Sequence, residues 1–178
     1  MPEEKRAGGG LRNARPFEPA KTQMVPWRGA GPRDPALAAG HHPAPSSGRR
    51  QWQASDGNLI LDDFAHELVL ILIEHDGLVV FTGCSHQGIL NMVEAVTRAF
   101  PGSPLKAVFG GFHLVILPTF NFMAGSREEI RGIGTRMLEY PLECVYTGHC
   151  TGSHAFEVLK GAMGKKLEYI ATGRTVTV

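Results

Sequence analysis

The sequence predicts an α/β domain with a mixed sheet flanked by helices, and a Pro/Gly-rich leader in front of it. Two observations lead to this prediction. Short apolar runs alternate with segments of helical periodicity, and the composition changes sharply near residue 55. Strands separated by helices favour an α/β layer with right-handed crossovers. With 178 residues, the chain is long enough for one domain of ordinary size.

Residues 1–55 have the composition of a disordered tail. They contain eight proline and seven glycine residues, and nine basic against four acidic side chains give a net charge of +5. Such a stretch buries too little apolar surface to offset the entropy lost on ordering. We therefore predict a disordered, basic, Pro/Gly-rich leader over 1–55 and a folded unit over 56–178.

The folded unit opens with a predicted hairpin, since strands over 67–74 and 78–82 flank a His-Asp-Gly turn. Apolar periodicity predicts three helices, over 89–100, 126–140 and 152–163. The second begins with a capping-box pattern, in which Ser126 precedes Glu129 by three positions. Further short strands are predicted over 105–109, 143–147, 167–170 and 175–178.

Three of the predicted strands end in the same way. Each strand is followed by one or two glycines and then, within three residues, by a histidine. These histidines are His86, His113 and His149. Glycine allows a sharp turn at the carboxyl end of a strand, and open α/β sheets bind ligands along that edge. Imidazole is the commonest nitrogen ligand for zinc. We therefore expect the three histidines to converge, although each could equally be a hydrogen-bonded turn residue.

The cysteines admit two interpretations. Cys84 and Cys150 lie beside His86 and His149, and a thiolate is a good soft metal ligand. Both could also be small residues packed at a strand end, because buried free cysteine is common. Cys144, in mid-strand, is interpreted as a core residue. The acidic residues before the first strand are Asp62, Asp63 and Glu67. Their carboxylates could reach a metal or its water, but we favour the interpretation as turn and edge-strand charges.

Composition and motifs exclude several classes of function. A net charge of +1 gives no reason to expect nucleic acid as a partner, and the apolar run at 68–73 is far too short to span a membrane. Three cysteines and no visible secretory segment fit a reducing compartment, so we expect a cytoplasmic protein. The sequence contains neither a G-x-S-x-G nucleophile elbow nor a phosphate-binding P-loop motif.

The segments GLVVFTGCSHQGILN (77–91), VFGGFHL (108–114) and YTGHCTG (146–152) resemble the metallo-β-lactamase superfamily. Within it they are most similar to the dihydropterin-ribofuranosyl-aminobenzene phosphate synthase-like branch. The resemblance covers about residues 57–178. It implies half of an αβ/βα sandwich that holds zinc or another divalent metal.

By this resemblance, His149 takes the last metal-ligand position, and His86 or Cys84 takes the bridging position, with His86 preferred. The predicted metal ligands are therefore His86, His149 and Cys84. His113, Thr151 and Gly152 are the predicted substrate-binding residues. No catalytic residue is assigned.

The chain also departs from the family pattern, because no H-x-H occurs in it and the family's H-x-H-x-D-H motif is therefore missing. We expect the second half of such an enzyme, with weak metal binding and impaired hydrolysis of a small-molecule substrate. Two alternatives stay open, a pterin- or phosphate-handling transferase and an inactive remnant that pairs with another polypeptide. A half-sandwich exposes a sheet face, which favours self-association.

Overall fold

The computed structural model describes residues 21–26, 52–62, 64, 66–117 and 122–178. Its centre is a six-stranded mixed sheet with the strand order β1-β4-β5-β6-β9-β10. The strands of this sheet are Lys21–Pro26 (β1), Leu68–Glu74 (β4), Gly77–Thr82 (β5), Leu105–Gly110 (β6), Leu142–Thr147 (β9) and Leu167–Tyr169 (β10). β1, β4 and β5 pair antiparallel, whereas β5, β6, β9 and β10 pair parallel.

Two small hairpins, three α-helices and two short 3₁₀ helices, His149–Thr151 and Gly164–Lys166, complete the described structure. The hairpin strands are Trp52–Ser55 (β2) with Asn58–Leu61 (β3), and Val115–Leu117 (β7) with Phe122–Met123 (β8). The helices are Ile89–Ala99 (α1), Arg127–Met137 (α2) and Ser153–Met163 (α3). Among the described residues, no helix is long and apolar enough to cross a membrane.

The tight β4–β5 turn depends on Gly77, which pairs with Glu74 at the end of the hairpin. Its φ of 155° lies in a region that side chains rarely adopt, and a Cβ would lie 2.8 Å from both the Pro104 carbonyl and Lys106 Cγ. The Lys106 ammonium lies 2.6 Å from Glu74 and 2.9 Å from Asp76, so the turn is also tied to β6 by ion pairs.

Helix α2 begins with the predicted capping box. The Ser126 hydroxyl accepts the Glu129 backbone N–H, and the Glu129 carboxylate accepts the Ser126 backbone N–H at 2.8 Å. The helix ends at Met137, earlier than predicted. The N–H groups of the next three residues bond to carbonyls three positions earlier, as in a 3₁₀ turn, instead of four. Tyr140 precedes Pro141, and a residue in that position avoids helical backbone.

The sheet separates two apolar clusters. One face packs against all three helices and contains most of the buried apolar residues, including Ile71, Val108, Ile133 and Leu159. On the opposite face Val79, Ala107 and Tyr146 are buried, and the apolar residues packed against them are only partly buried. Among the described residues, no helix contributes to this second cluster, which we call the aromatic face.

The α/β class, the hairpin and the three helices are confirmed. The strand predicted at 175–178 is wrong, because this segment is irregular. A turn closed by the Arg174 N–H to the Ala171 carbonyl redirects the chain, and Val176 then packs on the aromatic face. Strands β1 and β2 fall within the predicted leader. The rest of 1–51 lies outside the described residues, so leader disorder and the boundary at residue 55 stay predictions.

Candidate metal centre

Three loops meet at the carboxyl edge of the parallel strands. They follow β5, β6 and β9, which are neighbours in the sheet. The Gly111 N–H donates to the Gly83 carbonyl, and the Leu114 N–H donates to the Cys150 carbonyl, each at 2.9 Å. The predicted convergence of the three strand ends is therefore confirmed.

Each of the three loops contains one non-glycine residue with left-handed backbone. These residues are Ser85, His113 and His149, with φ values of 57°, 48° and 50°. Left-handed backbone is uncommon for such residues, and it concentrates at functional sites where the surrounding structure enforces it. The strained positions therefore mark the same edge that the histidine pattern predicts.

The centre of this edge is a group of three potential metal ligands. Cys84, His149 and Cys150 each offer one ligand atom, and these atoms all lie within 4.8 Å of one another. The Cys84 Sγ is 3.7 Å from His149 Nδ1. Of the three predicted metal ligands, the structure brings together Cys84 and His149, and it adds Cys150.

This group fits a divalent metal ion. Zinc binds sulfur at about 2.3 Å and nitrogen at about 2.0–2.1 Å, so two ligand atoms around one tetrahedral ion lie roughly 3.6 Å apart. The observed separation of 3.7 Å between Cys84 and His149 matches this value. Thiolate and imidazole donors suit zinc and other soft or borderline ions better than magnesium or calcium.

Cys150 is held tightly at the junction of two loops. Its sulfur accepts the His113 backbone N–H at 3.3 Å and lies 3.7 Å from the Cys84 carbonyl oxygen. Burial raises the pKa of the Cys150 thiol to about 12, so the metal-free thiol is protonated at neutral pH. A Cβ on Gly111 would lie 2.5 Å from this sulfur, so glycine is required for the close approach.

His86 belongs to a second group of rings. Its imidazole stacks on Phe64, with centroids 4.2 Å apart, and lies 4.0 Å from the ring of His113 in a tilted arrangement. Burial lowers the pKa of His86, which favours the neutral ring. His86 is not part of the three-ligand group, and metal binding by it stays a prediction.

Glu67 orders the loop after β5 from the neighbouring strand end. Its carboxylate accepts the backbone N–H groups of His86 and Gln87, at 2.7 and 2.8 Å. Burial raises the pKa of Glu67, and these two hydrogen bonds partly offset that effect. Inside the same loop, the buried Ser85 donates to the Thr82 hydroxyl at 2.9 Å. The loop that carries Cys84 is thus fixed at several points.

The predicted substrate-binding residues have different surroundings. Thr151 is buried, and its hydroxyl lies 2.6 Å from the Thr147 hydroxyl and accepts the Phe112 N–H at 3.0 Å. These contacts join the loops after β6 and β9. Gly152 caps α3 with a φ of 74°, and His113 lies half-buried beside His86. Substrate binding by these residues stays a prediction.

Comparison with a solved structure identifies the fold of the chain. The chain superposes on a metal-dependent hydrolase of the β-lactamase superfamily with a TM-score of 0.62 and 32% identity, over 71% of this chain and 46% of the hydrolase. The fold is that of the metallo-β-lactamase superfamily, and the resemblance seen in the sequence is confirmed. No protein-family model matches the chain.

Sequence comparison points to the same branch as the motifs. The chain is 26% identical to 7,8-dihydropterin-6-methyl-4-(β-D-ribofuranosyl)-aminobenzene-5'-phosphate synthase of Methanocaldococcus jannaschii. The match extends over 125 residues, which are 70% of this chain and 40% of the synthase. A stretch of 60 residues is 42% identical to an uncharacterized protein of that organism, 34% of this chain and 21% of the relative. The chain thus spans less than half the length of these relatives.

Sequence reasoning left two features of the site undecided. Cys150 had two open interpretations, metal ligand and packed core residue, because a buried cysteine and a ligand cysteine look alike in a sequence. Glu67 was interpreted as an edge charge, yet it accepts two loop N–H groups. Its spacing of 19 residues from His86 gives no local signal, since the contact depends on the pairing of β4 with β5.

Proposed function

We propose that the chain is a zinc-binding protein of the metallo-β-lactamase fold that hydrolyses small-molecule esters or amides poorly on its own. The ligands of the proposed zinc are Cys84, His149 and Cys150. The observation behind this proposal is the gathering of these three donor atoms within 4.8 Å at the carboxyl edge of the sheet. The similarity to a metal-dependent hydrolase supports it.

A bound zinc ion would supply Lewis acidity and lower the pKa of a coordinated water. The surrounding protein groups position the ligands. Glu67 fixes the backbone of the loop that carries Cys84, and the His113 N–H orients the Cys150 sulfur. His86 and His113 form a half-buried pair of rings beside the centre, suited to contact a substrate.

Two cysteines and one histidine make a sufficient donor count for a catalytic zinc, so we propose firmer binding than the weak metal binding expected from the sequence. The 178 residues contain no H-x-H-x-D-H motif, and therefore no acid at the position that handles the attacking water in this superfamily. We therefore propose that zinc binds more firmly than two histidines would allow, whereas hydrolysis stays slow.

A second candidate function follows from the similarity to the dihydropterin phosphate synthase. In this proposal the site binds a pterin or phosphate group for a transfer reaction, and His113, Thr151 and Gly152 contribute to substrate binding. Binding of a reduced pterin, measured by fluorescence at equal zinc loading, favours transfer. Turnover of a generic phosphodiester without pterin binding favours hydrolysis.

A third element of the proposal concerns the aromatic face. Two of its three stacked rings, Phe81 and Phe109, are only partly buried by the described residues, whereas Tyr146 is buried. We propose that this face associates with a second copy of the chain or with another polypeptide, because exposed apolar surface of this kind favours association.

The test of the zinc site is metal analysis with chelator competition after dialysis. We expect one zinc per chain. Cys84→Ser, His149→Ala and Cys150→Ser should each weaken binding by more than about 100-fold, since even outer-shell partners of a metal contribute about 10–100-fold. The cobalt-loaded chain should show a thiolate charge-transfer band that is diminished in each cysteine variant.

Two controls sharpen this test. Cys144→Ser changes a cysteine that packs on the aromatic face, so zinc binding should be unchanged. His86→Ala distinguishes the ligand sets, because it leaves the three proposed donors in place. A loss of zinc in His86→Ala as large as in His149→Ala, with Cys150→Ser unaffected, would overturn the proposed ligand set in favour of the set predicted from the sequence.

A further inference from the structure

We propose that Cys84 and Cys150 are an oxidation site, at which a hydroperoxide joins the two sulfurs in a reversible disulfide when the centre holds no metal. This inference rests on the geometry of the two cysteines and not on the proposed function. If it is correct, the same pair of sulfurs has two exclusive states, one bound to metal and one crosslinked.

The two sulfurs already lie close together, although they belong to loops that follow different strands. They are within 4.8 Å of each other, and the Cys150 Sγ lies 3.7 Å from the Cys84 carbonyl oxygen. A disulfide requires a sulfur–sulfur distance of about 2.05 Å. We expect a change of χ1 rotamer at one cysteine, with a small loop adjustment, to close this gap.

Gly111 keeps the space between the loops open. A Cβ at this position would lie 2.5 Å from the Cys150 sulfur and 3.6 Å from the Cys84 Cα. The Gly111 N–H also donates to the Gly83 carbonyl at 2.9 Å, which joins the loops after β5 and β6. A side chain at 111 would push the Cys150 sulfur away from its present position.

Cys144 provides an internal reference within the same chain. It lies on β9 and packs on the aromatic face, whereas the Cys84–Cys150 pair lies beyond the strand ends. All three cysteines are free thiols with intermediate exposure. Although the three thiols are similarly accessible, only Cys84 and Cys150 should form a disulfide.

The chemistry balances with a hydroperoxide as the oxidant. Because the Cys150 thiol is protonated at neutral pH, Cys84 attacks the peroxide as its thiolate; the O–O bond breaks, and the Cys84 sulfur becomes a sulfenic acid while water or an alcohol leaves with the thiol proton. The Cys150 sulfur then displaces the hydroxyl group of the sulfenic acid, the S–S bond forms, and the hydroxyl leaves with the Cys150 proton as water. The chain loses two hydrogen atoms, the peroxide is reduced, and a dithiol reductant reverses the reaction by exchange.

The experiment treats the full chain, freed of metal by chelator, with hydrogen peroxide. Remaining thiols are then alkylated, and intact mass and peptide mapping are recorded. We expect the loss of two hydrogens, one alkylated cysteine at 144, and one crosslinked peptide that joins 84 to 150. Cys144→Ser should behave like the wild type, Gly111→Ala should form the crosslink several-fold more slowly, and Cys84→Ser and Cys150→Ser should form none.

Zinc separates this inference from the proposed function. If both hold, prior loading with zinc slows crosslinking in proportion to occupancy. Crosslinking with no zinc binding overturns the proposed function and leaves the inference standing. A crosslink through Cys144, a disulfide between two chains, or oxidation to sulfinic acid without a crosslink overturns the inference, provided that circular dichroism shows the chain to be folded.

Discussion

The two faces of the central sheet are built from the same strands but differ in how completely they are covered. Along β4, β5, β6 and β9, alternate side chains point to opposite faces, as in any strand. The residues on one face, such as Val80, Val108 and Val145, are buried under α1, α2 and α3. Their neighbours on the other face, Phe81, Phe109 and Tyr146, form a row of stacked rings with centroids 4.9 and 4.6 Å apart.

This difference in coverage indicates which face contributes more to the stability of the fold. The helix-covered face has a closed core, because the described helices supply the partner side chains. The aromatic face gains stability from ring stacking and from the packing of Ile170 and Val176. We therefore expect the helix-covered face to contribute most of the stability, and the aromatic face is the one that we propose for association.

The largest expected effect comes from a pair of neighbours on β4. Ile71 is completely buried on the helix-covered face, whereas Leu72 is partly buried on the aromatic face. We expect Ile71→Ala to lower the free energy of unfolding by about 2–5 kcal/mol. Leu72→Ala should lower it by roughly 1 kcal/mol, because a partly exposed leucine loses less burial.

Urea denaturation of both variants measures this difference. Equal losses for the two substitutions would show that the aromatic face is as well covered as the other, and the comparison between faces would fail.

The next prediction concerns association through the aromatic face. Phe109 lies between Phe81 and Tyr146, at the middle of the row of rings. If this face joins two copies, Phe109→Lys should weaken self-association at least about tenfold, because a desolvated charge replaces an apolar contact. Sedimentation velocity over a range of concentrations measures the change.

Leu138 gives the matched control for that substitution, since it is an apolar residue with 37% of its surface exposed, just beyond the end of α2. Leu138→Lys should leave association unchanged. A wild-type chain that stays monomeric at high concentration would contradict the proposed self-association directly.

Much of the fold could be predicted from the sequence, because it depends on local patterns. Helical periodicity located α1 and α3 to within a residue or two, and the Ser126–Glu129 capping box located the start of α2. Hairpins β2–β3 and β7–β8 were missed, since their strands are only two to four residues long. Such short runs give no clear alternation.

The position of the candidate site at the edge of the sheet could be predicted from the sequence, but its set of ligands could not. The strand-Gly-His pattern located the edge, because parallel neighbours end on the same side. It could not decide between His86 and Cys84 as a ligand, and it left Cys150 as either a ligand or a packed residue. Which side chains reach the centre depends on how each loop turns. Those turns use left-handed backbone at Ser85 and His149, and neither serine nor histidine signals such a conformation in a sequence.

A smaller effect tests how closely the helices pack on the covered face. Gly132 and Gly134 lie in the same helix, but only Gly134 faces α3. A Cβ at Gly134 would lie 3.1 Å from Ala162 Cβ and 3.2 Å from Met163 Cγ, whereas a Cβ at Gly132 would meet nothing within 4 Å. We expect Gly132→Ala to stabilise the chain by up to about 1 kcal/mol, because alanine favours helix more than glycine does.

Gly134→Ala should lose most or all of that gain, because the new methyl group crowds α3. Thermal unfolding of the two variants compares them directly. An equal gain at both positions would indicate that α2 and α3 have room to separate, and that the covered face is less tightly packed than the distances show.

The smallest expected effect compares one tyrosine from each side of the sheet. Tyr140 packs beside the helix-covered core and donates to the Glu94 carboxylate at 3.1 Å. Burial, followed by this contact with Glu94, raises the pKa of Tyr140 from 10.0 to about 12. On the aromatic face the pKa of Tyr146 is also raised, first by its contact with the Cys144 thiol and then by burial.

Because the folded pKa of Tyr140 lies above its unfolded value, the stabilisation from the neutral phenol is complete below pH 10 and is lost as the pH rises toward 12. Tyr140→Phe should therefore lower stability at neutral pH and flatten the decline between these two pH values. Urea denaturation at a series of alkaline pH values measures the slope, with Tyr146→Phe in parallel. A slope unchanged in Tyr140→Phe but flattened in Tyr146→Phe would assign the alkaline sensitivity to the aromatic face instead of the helix-covered one.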